Sequence, residues 1–110
     1  MEETPKIIMQ SDINCPVRKS LVLLGGKWTL LILFQINERT IRYGELKRCI
    51  PGISEKVLMH ELNVLVANEF VAKKSYAEIP PRVEYRLTDK GLNTLPIVDQ
   101  LAAFGLHNLF

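Results

Sequence analysis

The sequence predicts an α+β fold, and three observations predict it. The stretch CIPGISEKVLMHEL, residues 49–62, stops one helical pattern at Pro51-Gly52 and starts another at Ser54. Two helices joined so tightly must cross steeply, as in a helix-turn-helix. Two short runs then flank a Pro80-Pro81 turn, and the second of them alternates polar with apolar residues, the mark of a half-exposed strand. Finally, apolar-rich helical segments lie before and after this unit. Together these predict a winged helix-turn-helix with additional N- and C-terminal helices forming a dimer interface.

The elements follow in order. Residues 1–14 read as a loose arm, and 15–110 as one DNA-binding and dimerisation domain. Pro16 opens the first helix, because proline is tolerated at the first helical position and Cys15 can stand at the cap. Leu21, Leu23 and Leu24 give that helix its apolar face, and Gly25-Gly26 ends it. From Lys27 to Ile36 a second helix carries Trp28, Leu31, Ile32 and Phe34. It is apolar nearly all round, which predicts a central core helix. Thr40 to Arg42 reads as a short strand and Tyr43 to Ile50 as a short helix. Ser54 can cap the free N–H groups of a helix from Glu55 to about Glu69, with Leu58, Leu62, Leu65 and Val66 facing inward.

Val71 to Tyr76 and Arg82 to Leu87 form the hairpin, with Val83, Tyr85 and Leu87 on one face. Thr88 caps a last helix from Asp89, which Gly91 and Pro96 weaken, so 97–110 reads as a separate or bent segment. Its apolar residues, among them Ile97, Leu101, Phe104 and Phe110, are too many to leave in water. They predict a homodimer through the chain ends.

Composition bounds the rest. The chain has 110 residues, of which 47% are hydrophobic and 24% charged, an ordinary globular balance that excludes disorder. No apolar run approaches the roughly 18 residues of a membrane span. The acidic start lacks the order of a signal peptide, and two cysteines without an export signal imply a reducing cytoplasm. Net charge is +2, but it is unevenly placed. Residues 39–90 hold ten basic and seven acidic side chains, a net +3 against −1 for the remainder.

Other chemistries fit poorly. Gly25-Gly26-Lys27 lacks the earlier glycine and the following Ser or Thr of a phosphate loop. The histidines, His60 and His107, and the two cysteines lack zinc-site spacing, and no nucleophile stands with a base. The chain therefore reads as a non-enzyme without metal or cofactor. The polar face of the second helix of the pair carries Lys56, His60 and Asn63, with Met59 beside them. Lys56 suits guanine O6 or N7, and Asn63 suits adenine. His60 can donate to a base or a phosphate, and Ser54 lies where helix N–H groups can meet a phosphate. In the hairpin, Lys73, Lys74 and Arg82 are phosphate-holding candidates, with Arg82 also a candidate for the minor groove. Cys15, at a helix N-terminus with Arg18 and Lys19 in the first turn, is the candidate reactive thiol. A buried, inert Cys15 is the opposite reading. The whole chain also admits two rivals, a winged helix used for protein–protein contact and a thiol redox protein.

Several motifs in one order add to this. CPV at 15–17, GGKWTLLIL at 25–33, ELKRCIPGIS at 45–54 and PPRVEYRLTDKG at 80–91 resemble the HxlR family of winged helix-turn-helix transcriptional regulators. The resemblance covers about residues 15–104. It implies a bacterial, cytoplasmic, MarR-like homodimer on double-stranded operator DNA, with dimer contacts from the terminal helices. It also implies redox sensing of a small electrophile or oxidant, in some members, by a cysteine matching Cys15. The chain departs from the pattern at Met59 and Asn63, where members often carry Thr and Arg, and at Phe104, where a Trp is usual.

Overall fold

A computed structural model describes residues 14–110, so the arm expected over 1–14 lies, apart from Asn14, outside the described residues. The elements run α1 (Pro16–Leu24), α2 (Thr29–Ile36), β1 (Ile41–Arg42), α3 (Tyr43–Cys49), α4 (Glu55–Ala67), β2 (Val71–Tyr76), β3 (Arg82–Leu87), α5 (Asp89–Leu92) and α6 (Leu95–Asn108). The three strands form one antiparallel sheet in the order β1-β3-β2. Val71 pairs with Leu87 and Tyr76 with Arg82, so β2 and β3 are the two legs of the wing.

Local signals place most boundaries. Ser54 Oγ accepts the Val57 N–H at 3.1 Å and so caps α4. The turn from α3 into α4 needs φ +86° at Gly52, a left-handed conformation that a side chain would strain. On α4, Leu58, Leu62 and Leu65 are buried, while Val66 is only partly so. They pack with Leu46 and Ile50 at α3, Ile53 in the turn, and Ile32, Leu33 and Ile36 of α2. Tyr85 and Leu87 close this core from the sheet.

Two expectations are corrected. First, α2 is not buried all round: Leu31 and Phe34 are 49% and 43% exposed, on the side away from Ile32, Leu33 and Ile36. α1 and α2 are bent by 75° from each other, and the described residues leave this side of α2 uncovered. Second, α4 ends at Ala67 rather than near Glu69, because Glu69 takes φ 64° to turn the chain into β2. The separate segment expected over 97–110 is present as a second C-terminal helix that starts at Leu95, and Pro96 sits in its first turn, where its missing N–H costs nothing. None of the residues of α6 is buried, and Leu101 and Phe104 are more than half exposed.

The TDKG segment, residues 88–91, fastens the wing to α4. Thr88 Oγ1 donates to Glu69 O at 2.6 Å and accepts the Gly91 N–H at 3.1 Å. Lys90 Nζ donates to Asn68 O at 2.8 Å and lies over the Phe70 ring. Gly91 packs directly on the Phe70 carbonyl, with no room for a Cβ. The weakening of the last helix expected at Gly91 has this contact as its counterpart.

Candidate nucleic-acid interface

The second helix of a helix-turn-helix presents its N-terminal residues and one ridge. On α4 that ridge is Lys56, His60 and Asn63, all exposed, beginning just after the exposed Ser54 cap. Met59 differs from them: it is half-buried and turns toward the wing. There it lines a cleft of about 520 Å³ with Arg42, Tyr43, Glu55, Lys73 and Arg82. Arg42, Tyr43 and Glu55 are the members of this surface that sequence reasoning missed. Only the crossing of α3 over α4 brings them there.

Tyr43 holds the start of α4 in place. Its hydroxyl donates to the Glu55 backbone oxygen at 3.3 Å. Burial first, and then the nearby Glu55 charge, push the Tyr43 phenol above its ordinary pKa, so it remains a donor. On β3, burial first and Tyr43 second likewise raise Tyr85.

Strand alternation separates the wing cations. Lys73 pairs across with Tyr85 and faces the α4 side, where it meets the cleft. Lys74, opposite Glu84, lies on the outer face with Tyr76 and Arg82, and its ammonium sits 5.0 Å from the centre of the Tyr76 ring. Lys73 and Lys74 are exposed, whereas Arg82 is engaged within the wing. Its Nη2 lies 3.1 Å from Glu78 and its guanidinium 3.8 Å above the Tyr76 ring.

The thiols are placed apart. Cys15 occupies the N-cap position of α1, as expected, but is buried, and its side chain makes no cap bond. Cys49, at the end of α3, is half-buried, and Arg39 Nη2 donates to its sulfur at 3.7 Å. That contact bridges ten positions in sequence and was not foreseen. Among the described residues, no single helix is long and apolar enough to cross a membrane.

This arrangement has close counterparts. The model of the HxlR-like helix-turn-helix family matches residues 23–109. The chain belongs to the HxlR-like helix-turn-helix family. An HTH-type transcriptional regulator of Halalkalibacterium halodurans is 43% identical over 96 residues, 86% of this chain and 85% of that protein. Among solved structures, a MarR-family transcriptional regulator from Porphyromonas gingivalis W83 is 61% identical with a TM-score of 0.88, covering 90% of this chain and 97% of that one. The redox regulator HypR in its oxidised form is 35% identical with a TM-score of 0.79, over 86% and 97% of the two chains. The HxlR-like chain is thus a transcriptional regulator of HxlR and MarR type, in a family of regulators rather than enzymes.

Proposed function

We propose that this HxlR-like regulator is a cytoplasmic homodimer that sets α4 in the major groove of double-stranded operator DNA and rests its wing on the flanking backbone. The observation that carries the reading is the exposed ridge of Lys56, His60 and Asn63 on a capped helix, flanked by Lys73 and Lys74. Each subunit supplies little net charge, so affinity rests on two subunits binding together. Half-site centres then lie about 34 Å apart, or a multiple of it. Selection from random-sequence duplex pools by gel shift tests the reading and yields the operator. A protein that shifts no duplex at low salt refutes it.

Base readers and phosphate holders separate by substitution. Asn63→Ala is expected to relax preference at one base pair per half-site, at about 1–3 kcal/mol. Lys74→Ala is expected to weaken all sequences alike and to flatten the salt dependence. Competition binding across a panel of single-base operator variants distinguishes the two. A uniform loss for Asn63→Ala would remove it from the base readers.

The proposal includes an oxidant or electrophile response at Cys15. Its support is the position of Cys15 at the start of α1, with Arg18 and Lys19 in the first turn, and the likeness to HypR. Because Cys15 is buried, modification requires the first turn of α1 to open, which couples thiol chemistry to a helix bearing the proposed dimer face. Mild oxidation is expected to lower operator affinity in the wild type and in Cys49→Ser, but not in Cys15→Ser. Equal responses in all three proteins, measured by anisotropy, would exclude Cys15 as the sensor.

A further inference from the structure

The wing holds a polar cluster outside the core and apart from the Lys56, His60 and Asn63 ridge, although its Arg82 and Glu78 also border the cleft toward Met59. Tyr76 stands opposite Arg82 and Lys74 opposite Glu84, which places all four on one face of the hairpin. The Tyr76 hydroxyl donates to Glu84 Oε1 at 2.8 Å. The other oxygen, Oε2, faces Arg82 Nε at 3.8 Å, near enough for attraction but too far for a hydrogen bond. Arg82 Nε is buried and has no hydrogen-bond partner. From within the Ala77–Pro81 turn, Glu78 Oε2 reaches Arg82 Nη2 at 3.1 Å. Two carboxylates thus stand around one guanidinium, as two phosphate oxygens would.

We infer that Glu78 and Glu84 act as internal substitutes for DNA phosphate, holding Arg82 back and attenuating the wing's grip on DNA. The inference rests on the DNA-binding reading. Arginine pairs with carboxylate and phosphate through the same fork of donors, so the two compete for it. Glu84 is oriented by Tyr76 and fixed in the sheet. Glu78 is exposed, on a turn, and is the carboxylate that phosphate can displace. Non-specific affinity comes from phosphate contacts, so withholding one cation lowers binding to every sequence. The base contacts of α4 are untouched. Specific and non-specific binding therefore fall together, and Glu78 sets overall affinity and its salt dependence without reading a base.

The test measures binding to a random-sequence duplex between about 50 and 200 mM salt, by anisotropy, for the full chain. Glu78→Gln keeps the shape of the side chain and removes its charge. It is expected to tighten binding about three- to tenfold at the low-salt end and to steepen the log–log salt slope by about 0.9, one added phosphate contact. In an Arg82→Gln background the same change is expected to do nothing. An unchanged slope in Glu78→Gln, or a gain that persists without Arg82, overturns the inference while leaving the DNA-binding reading in place, because the wild type still binds. A wild type that binds no duplex overturns both.

Discussion

The full-length chain is expected to sediment as a dimer at micromolar concentration, and the double variant Leu101→Asp, Phe104→Asp as a monomer. The physical reason is the apolar surface that the described residues leave uncovered. Leu101 and Phe104 on α6, Leu31 and Phe34 on α2, and Leu21 and Val22 on α1 are all exposed. Each large side chain buried against a second subunit contributes about 1.5–3 kcal/mol, so a few suffice to offset the cost of association. A carboxylate buried in such a face without a partner costs more than the contact it replaces. Because the proposed readout uses two α4 helices held in one dimer, the monomer is expected to lose operator affinity by about a hundredfold or more. Deleting residues 96–110 should give monomers or insoluble protein. Sedimentation equilibrium with operator binding on the same samples checks this, and a monomeric wild type would refute it.

Gly91→Ala is expected to destabilise the fold by about 3 kcal/mol, the upper end of what overpacking costs. The added methyl would meet the Phe70 carbonyl directly and Leu87 Cβ at 3.1 Å. Neither can yield easily. Phe70 O accepts the Thr88 N–H at 3.1 Å, and Leu87 is a buried sheet residue. Moving either one disturbs the corner where α4 turns through Glu69 into β2, and so the angle between the α4 ridge and the wing. For a chain of this size the loss corresponds to a fall in Tm of about 4–8 °C per kcal/mol. Thr88→Val removes two hydrogen bonds at the same corner without adding bulk there, and is expected to cost about 1–3 kcal/mol. Thermal denaturation of both variants checks the order. A Gly91→Ala protein as stable as the wild type would show that the corner can relax.

The elements and their order are legible in the residues alone, because the signals that set them are local. Ser54 and Thr88 cap the helices that follow them, Gly52 supplies the left-handed turn, and the alternation of Arg82 to Leu87 marks a strand. Each acts over three or four residues, within the reach of a backbone hydrogen bond or one turn of helix, so no distant partner is needed to read it. The α4 ridge was legible for the same reason, since positions 56, 60 and 63 share a face on any helix. Other features required the tertiary structure. Arg82 read as a free wing cation, but the Ala77–Pro81 turn brings Glu78 onto it, beside Glu84 two positions along the same strand and the Tyr76 ring across the hairpin. Met59 faces the wing, and Leu31 and Phe34 remain exposed, because the crossing of helices decides which side of each is covered. Cys15 is buried although it stands at a helix end, and Gly91 meets a carbonyl more than twenty residues away in the chain. Periodicity specifies that a residue is apolar or polar on its own element. Which surface packs against it is a property of two elements at once, and it is set only when the core closes.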